Sequence, residues 1–291
     1  MVSLDHQLSL ECPECQHPSM TSFIAWVGVD SRSPSSLYLA SDSRISWTPT
    51  IGWNHGRKLF ASRSSPDALG YVGEVLFPSL ALAQITSAIE LGALFPANAS
   101  PPLRIHRVES ALKASHDSFP QGMRHPFTIV YAYRESSGMS SQFHIVTFEW
   151  AQGSQWTRTS VGLPESSGVV CMFGSGEQVV QKWISRWTSS SQGGTSRAVF
   201  SAFCNALSSH EDPQTGGAPQ LVGLYRTGPS RVIGISHETT PTLLGMAIDP
   251  MECDTDQRLE WRNPAFERCD AFGARLSGAQ SHHIPPGLGS P

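Results

Sequence analysis

The sequence predicts an α+β protein arranged as a four-layer αββα sandwich, in which two antiparallel sheets stack on each other and a pair of helices covers each outer side. Three observations lead to this prediction. Short runs rich in Val, Ile, Trp and Tyr begin at residue 21, two stretches with apolar residues at helical spacing follow them, and the same alternation then repeats. The predicted order is therefore strands, two helices, strands, two helices, strands.

Residues 21–73 predict two consecutive β-hairpins. In the first hairpin, TSFIAWVGV and SLYLAS lie on either side of the turn-forming DSRSPS. In the second hairpin, KLFAS and ALGYVG lie on either side of SSPD. Clusters of Ser, Pro, Asp and Gly favour turns because these residues accept or fix the backbone angles that turns require.

The stretch 74–91 predicts a helix, because it has no internal glycine and because Pro78 falls in the first turn, where a missing N–H costs little. Gly92 is expected to end this helix. Residues 104–116 show a second helical pattern. The apolar residues on one helical face are Leu76, Leu80, Ala83 and Leu91 in the first helix and Ile105, Val108 and Leu112 in the second.

The second half of the chain repeats the alternation. Strands are predicted at 127–133, 142–149, 156–161 and 169–173, helices at 177–189 and 195–208, and closing strands in GAPQLVGLYR, SRVIGIS and TLLGMAI.

The composition divides the chain into residues 1–20, a domain at 21–250 and an extension at 251–291. Residues 1–20 are polar and lack periodicity. The interpretation of these residues as a propeptide, or as a misassigned start before an initiator at Met20, depends on the motifs that begin at Thr21. The extension is expected to be partly disordered, with a mobile end. A third interpretation of residues 1–20 is a zinc loop, but one Cys-x-x-Cys pair is weak evidence, so neither a metal nor a cofactor is expected. Its zinc-type ligands would be His6, Cys12, Cys15 and His17.

Composition excludes several classes of partner. The 291 residues carry a formal net charge of -4 and 15% charged residues, which gives no electrostatic reason to expect nucleic acid or an anionic membrane surface. The sequence has no window of about 20 apolar residues, and its start lacks the basic and apolar regions of a signal peptide. The 6 cysteines are scattered, which favours reduced thiols and predicts a cytoplasmic protein.

Asp42 and Lys58 are the first candidates for chemistry. They stand sixteen residues apart, each at the border of a predicted strand. Residues at such borders can point into a shared cleft. Taken alone, Asp42 also fits a capped turn, and Lys58 also fits a solvated strand end.

Several motifs, in order along the chain, resemble those of the proteasome-type N-terminal-nucleophile hydrolases, which include proteasome β subunits, the HslV peptidase and the proteasome homologue Anbu. Thr21 opens the first strand as the family's nucleophile does, and LASDSRIS and GRKLFAS are similar to the segments that carry the family's aspartate and lysine. GYVG, which ends at Gly73, is similar to the oxyanion-hole segment. FGSG, with Ser175, and DPQTGGA, with Asp212 and Thr215, resemble two further motifs.

The resemblance implies a threonine peptidase. The Thr21 hydroxyl would attack a carbonyl carbon, and the α-amine of the same residue, with an ordinary pKa of about 7.7 to 8.0, would accept the proton. Lys58 would lower the pKa of the hydroxyl, and Asp42 would keep the ammonium charged and oriented. The N–H of Gly73 would bind the oxyanion. The residues that would hold the α-amine are Ser175, Asp212 and Thr215.

The α-amine is free only if Thr21 is the first residue. Met20 precedes it where self-processing proteasome propeptides end in glycine, and initiation at Met20 followed by loss of that methionine would expose Thr21.

The resemblance also implies a homo-oligomeric ring that acts on polypeptide, with an ATPase or another substrate-delivery partner. Two alternatives stay open: an amidase or acylase that uses the same nucleophile on a small amide, and a non-catalytic structural ring subunit.

Overall fold

The computed structural model describes residues 21–48, 50–238, 240–252 and 259–288. The three interpretations of residues 1–20, as a propeptide, a misassigned start or a zinc loop, lie outside the described residues. None of the helices in the described ranges combines the length and the apolar character that a membrane crossing needs.

The described chain has an α+β fold with mostly antiparallel sheets. Its helices are α1 Leu76–Glu90, α2 Pro101–Ser118, α3 Glu177–Thr188 and α4 Ser196–Ser208. The strands before α1 are β1 Phe23–Val29, β2 Pro34–Ser41, β3 Ile45–Ser46, β4 Gly52–Trp53, β5 Leu59–Ala61 and β6 Asp67–Gly73. The strands between α2 and α3 are β7 Phe127–Glu135, β8 Gln142–Trp150, β9 Thr157–Val161 and β10 Gly168–Phe173. The strands after α4 are β11 Gln220–Tyr225, β12 Arg231–His237, β13 Thr240–Leu243, β14 Met246–Ala247, β15 Glu260–Arg262 and β16 Arg268–Cys269.

The two hairpins predicted for residues 21–73 are confirmed. β1 pairs antiparallel with β2, and β5 pairs antiparallel with β6. Between the two hairpins, β3 and β4 form a further small antiparallel pair that the sequence did not predict. Each of these two strands has only 2 residues, which is too short to show an alternating pattern.

Two larger sheets contain most of the other strands. In the described part of the chain, the first sheet has nine strands in the order β10-β1-β2-β11-β12-β13-β14, with β15 beside β12 and β16 beside β15. The second sheet has five strands in the order β5-β6-β7-β8-β9. All strand pairs in the described ranges are antiparallel except that between β12 and β15, which is parallel.

Three apolar clusters connect the sheets and the helices. The first cluster joins one side of the nine-stranded sheet to α3 and α4, as in the packing of Trp26 with Phe200. The second cluster joins one side of the five-stranded sheet to α1 and α2. The third cluster contains residues of both sheets and no helix, and includes Phe23 and Leu59. Successive residues of β1 alternate between the first and third clusters because side chains of a strand point to opposite sides.

Helix α1 is apolar on two sides. Phe77, Leu82 and Ile85 are among its buried residues. The face that the sequence singled out is instead exposed, with relative exposures of 42% for Leu76 and 56% for Leu80. A helix that is apolar all round gives no periodic signal of which face meets the sheet.

Two short strands form within residues 259–288. Here β15 pairs with β12 and β16. Trp261 is buried against Gly234, where any side chain would overlap the indole ring. Leu288 belongs to the cluster around α3 and α4. The packing partners lie earlier in the chain, so the local pattern of residues 259–288 could not reveal them.

Candidate active site

Thr21, Asp42 and Lys58 meet in one buried group. The ammonium group of Lys58 donates a hydrogen bond of 2.7 Å to Oδ1 of Asp42 and one of 3.2 Å to Oγ1 of Thr21. The relative exposure is 1% for Thr21 and 0% for the other two residues. The structure therefore brings together the three residues that the sequence placed at strand borders.

Strand pairing explains how these residues meet. Phe23 of β1 lies opposite Ser41 of β2, so the residues before β1 lie beside the residue after β2. Accordingly, the N–H of Asp42 donates to the carbonyl oxygen of Ser22 over 3.1 Å. Lys58 directly precedes β5 of the other sheet, and its side chain reaches from that sheet to Asp42.

The carboxylate of Asp42 has four hydrogen-bond donors. Oδ1 accepts from the N–H of Ser22 over 3.1 Å and from Lys58. Oδ2 accepts from the N–H groups of Arg44 and Gly216, each over 3.1 Å. A carboxylate that is removed from water needs such donors, because an unpaired buried charge is very costly.

Burial moves the pKa values of the two charged groups toward each other. It lowers the pKa of Lys58 below its ordinary value, and the attraction of Asp42 opposes this change. It raises the pKa of Asp42, and this change is opposed by Lys58 and by the N–H groups of Ser22 and Gly216. A lysine with a lowered pKa gives up its proton more easily than an exposed lysine does.

A second polar group lies next to Thr21. Ser175, in the turn between β10 and α3, donates a hydrogen bond of 2.7 Å to Oδ2 of Asp212. The N–H of Thr215 donates to the carbonyl oxygen of Asp212 over 3.3 Å. The turn that carries Ser175 touches Thr21 directly, since the N–H of Gly176 donates to the carbonyl oxygen of Thr21 over 3.3 Å. The sequence-predicted Ser175, Asp212 and Thr215 thus form one connected set.

Gly73 is the last residue of β6 and lies opposite Phe127 of β7. Its φ is +95°, in the region that favours glycine, and a Cβ atom would lie 2.6 Å from the carbonyl oxygen of Pro126. A larger residue is therefore excluded at this position by both backbone angle and space. The assignment of its N–H to an oxyanion hole stays a prediction.

Two residues around Asp42 were not assigned by the sequence. Arg44 donates from Nε to Oδ1 of Asn54 over 2.8 Å and from a terminal nitrogen to the carbonyl oxygen of Pro213 over 2.8 Å. Gln220 is fully buried at the start of β11. The only sequence signal for Gln220 is a lone amide at the border of an apolar strand.

Comparisons with known proteins support the fold. No family model matches the chain, and no curated protein matches its sequence. A solved structure described as the helical assembly of the Anbu complex from Pseudomonas aeruginosa is 11% identical over 72% of this chain and 86% of that chain, with a TM-score of 0.52. Anbu (ancestral β-subunit) from Yersinia bercovieri is 10% identical over 70% of this chain and 81% of that chain, with a TM-score of 0.48.

At these identities the likeness concerns the fold. The chain has the fold of the proteasome-type N-terminal-nucleophile proteins, as its motifs predicted.

Proposed function

We propose that this protein is a hydrolase of the threonine-peptidase type, with the hydroxyl of Thr21 as its nucleophile. The observation that carries the proposal is the position of Lys58, whose ammonium group contacts both the Thr21 hydroxyl, at 3.2 Å, and the Asp42 carboxylate, at 2.7 Å. A buried ammonium beside a hydroxyl stabilises the alkoxide that forms when the proton leaves. Asp42 holds this ammonium in place.

The proposed active form begins at Thr21, because the reaction needs an α-amine at this residue. The proton of the Thr21 hydroxyl moves to the α-amine as Oγ1 bonds to the carbonyl carbon of the substrate. The C–N bond of the substrate then breaks, and the proton passes to the leaving amine. Water attacks the resulting ester with the same α-amine as base, the Oγ1–C bond breaks, and the proton returns to Oγ1.

The neighbouring residues take supporting roles in this proposal. The connected Ser175, Asp212 and Thr215 orient the α-amine, and the close contact between the Ser175 turn and the Thr21 carbonyl group supports that role. The N–H of Gly73 donates to the oxyanion. Preorganised donors of this kind typically contribute about 10² to 10³ in kcat.

The proposal also covers the arrangement of layers and the assembly. The cluster between the two sheets and the two clusters under the helices support the four-layer αββα order.

The exposed apolar face of α1 supports contacts between copies of the chain, and we propose a homo-oligomeric ring. The similar Anbu chain from P. aeruginosa is described as part of a helical assembly. A compartment of this kind favours unfolded polypeptide as substrate, delivered by an ATPase or another partner.

The test compares three forms of the protein: the whole chain, a form released from a cleavable fusion so that it begins at Thr21, and the Thr21→Ala variant of that form. Each is incubated with a β-lactone, which acylates activated hydroxyl groups, and with unfolded casein and small amides as substrates. We expect acylation and hydrolysis in the form that begins at Thr21. The Thr21→Ala variant should lose at least about 10²-fold in kcat.

The matched control is Thr159→Ala, because Thr159 is an exposed threonine of β9. This control should keep full activity and full acylation. The proposal is contradicted if the whole chain is active while its intact mass shows that residues 1–20 are still attached. Full turnover in Thr21→Ala also contradicts it. Hydrolysis of small amides without cleavage of casein indicates the amidase alternative. Absence of acylation and hydrolysis in a correctly folded form that begins at Thr21 indicates a structural subunit.

A further inference from the structure

Gln220 lies at the centre of the segments that carry Asp42 and Lys58. It is the first residue of β11, has a relative exposure of 0% and lies opposite Ser41, the residue before Asp42. It belongs to the nine-stranded sheet, whereas the strand after Lys58 belongs to the five-stranded sheet. Its side chain is therefore placed between the two sheets at the candidate site.

All polar atoms of the Gln220 side chain have partners. Oε1 accepts hydrogen bonds from the N–H groups of Lys58, at 3.0 Å, and Leu59, at 3.4 Å. Nε2 donates to the carbonyl oxygens of Gly56, at 2.7 Å, and Asp42, at 3.1 Å. Nε2 also lies 3.2 Å from the hydroxyl oxygen of Ser43, to which it donates.

A primary amide is the side chain that fits these partners. It offers an acceptor oxygen and a donor nitrogen at the end of one flexible stem, and here N–H groups lie on one side and oxygen acceptors on the other. Without it, the N–H of Lys58 and the carbonyl oxygen of Asp42 would lose these buried hydrogen bonds. A buried donor or acceptor left without a partner carries the full cost of its desolvation, so the backbone at these residues would move or water would enter.

We propose that Gln220 is a positioning residue of the candidate active site, which fixes the backbone at Asp42 and at Lys58 and thereby the place of the Lys58 ammonium beside Thr21. This inference rests on the proposed function. In this inference Gln220 acts through the backbone of the two charged residues.

The position of Lys58 is sensitive because two short contacts depend on it. Its ammonium must stay within hydrogen-bond reach of both the Asp42 carboxylate and the Thr21 hydroxyl. The two charged residues come from different sheets, and Gln220 binds the backbone of each. A shift of about 1 Å in such a site can cost about 10²-fold in rate.

The first test is Gln220→Met, which keeps the length of the side chain and removes its hydrogen bonds. We expect kcat for the best substrate to fall about 10²-fold, with a smaller change in KM. In parallel, NMR of chains labelled with ¹³C at the lysine ε position follows the titration of the Lys58 amine, which is assigned with Lys58→Met. The lysines of the sequence are Lys58, Lys113 and Lys182, so the spectrum is simple.

In Gln220→Met we expect the Lys58 amine to titrate closer to the ordinary lysine value, because the loosened site admits water. The matched control is Asn205→Leu, which also replaces a buried amide. Its Oδ1 accepts a 2.8 Å hydrogen bond from Nε1 of Trp187, among the residues of α3 and α4. Asn205→Leu should lower thermal stability to a similar degree and leave both kcat and the Lys58 titration unchanged.

Gln220→Glu is the second variant if Gln220→Met does not fold. Its protonated carboxyl can still donate one hydrogen bond, whereas the ionised form would face the carbonyl oxygens of Asp42 and Gly56. We therefore expect the kcat of this variant, divided by the wild-type kcat at the same pH, to fall as the introduced carboxyl ionises, and the Lys58 amine to titrate differently from that of the wild type.

Wild-type kcat and an unchanged Lys58 titration in a folded Gln220 variant would overturn the inference. Equal losses in Gln220→Met and Asn205→Leu would also overturn it, since the effect would then follow stability alone. Failure of the proposed function is recognised separately by full turnover in Thr21→Ala. The Lys58 titration tests Gln220 even in a protein without hydrolase activity.

Discussion

The ammonium group of Lys58 and the carboxylate of Asp42 form an ion pair of 2.7 Å that is completely removed from solvent. The pair joins two sheets, because Asp42 follows β2 and Lys58 precedes β5. Its attraction offsets the cost of burying two charges only because further N–H groups bind the carboxylate. The ion pair thus links the two sheets and also forms part of the candidate site.

Breaking this pair on one side should be more damaging than removing both charges. Lys58→Met leaves Asp42 charged and buried, and we expect the free energy of unfolding to fall by about 3 to 5 kcal/mol. The double variant Lys58→Met with Asp42→Asn removes the uncompensated charge and should recover part of this loss. Urea unfolding of the two single variants and the double variant measures the difference.

The control for this cycle is Lys182→Met, which removes an exposed ion pair of similar length with Glu211, 2.6 Å. It should change stability little, because exposed pairs contribute little. A double variant that is less stable than Lys58→Met alone would contradict the prediction.

Gly174 should be intolerant of a side chain because of Thr21. A Cβ atom at this position would overlap the carbonyl oxygen of Thr21. Gly174→Ala should displace Thr21 and lower kcat by about 10²-fold while the protein still folds, as measured by turnover and circular dichroism.

Gly153→Ala is the matched control for Gly174→Ala. Gly153 also has a positive φ, +76°, but a Cβ atom there would meet nothing within 4 Å. It therefore has the backbone strain without the collision, and its turnover should stay at the wild-type level. Equal turnover in both variants would show that contact with Thr21 has no effect on the reaction.

His116 should make stability fall in mild acid. Its relative exposure is 1%. Its ring lies among aromatic rings, and the centres of the His116 and Trp150 rings are 4.5 Å apart. Its Nε2 has no hydrogen-bond partner among the described residues. Burial lowers its pKa below the ordinary 6.5, and Arg124 adds to this shift. The unfolded chain then binds a proton that the folded chain does not, so stability is lost as the pH falls below about 6.5.

His116→Phe should reduce the loss of stability between pH 8 and pH 5.5, as measured by urea unfolding at the two pH values. A smaller slope, and not a flat line, is expected because burial also lowers the pKa of His144 and His237. His106→Gln, at an exposed position of the same helix, is the control and should leave the slope unchanged. An identical slope in His116→Phe would exclude His116 as its source.

The exposed face of α1 should hold copies of the chain together. Leu80 is 56% exposed on this face. A stable interface buries more than about 1,000 Å², and a charge at its centre would be left without water. Light scattering should therefore find an assembly several times the 31.6 kDa chain, and Leu80→Glu should reduce its mass.

Met139→Glu serves as the control for assembly, because Met139 is 57% exposed but lies in the turn between β7 and β8. It should leave the assembly intact. A monomer of the unchanged protein at high concentration would remove the proposed compartment and favour the small-amide alternative.

The local pattern of the sequence was sufficient for most elements. The β-branched and aromatic runs in TSFIAWVGV and SLYLAS predicted β1 and β2, and the apolar spacing after residue 73 predicted α1 and α2 close to their observed bounds. These predictions succeeded because period and turn chemistry are properties of neighbouring residues. The small β3–β4 pair was missed because its strands are shorter than any period.

The ordered motifs also indicated which residues to examine at the site. Thr21, Asp42 and Lys58 were expected together through the resemblance, and the structure shows their contacts. The sequence could not predict Gln220, because its hydrogen bond to the N–H of Lys58 spans 162 positions. An amide at a strand border has no distinctive local signature.

The sequence by itself determined the helices and the main strands, since these depend on residue types and short spacings, and its resemblance to a known family indicated the candidate nucleophile. Only the tertiary structure decided which face of α1 meets the sheet, where β15 pairs and how Gln220 joins the segments of Asp42 and Lys58. These features depend on contacts between distant parts of the chain. Such contacts form when the two sheets stack and exclude water, and that packing is a property of the whole fold.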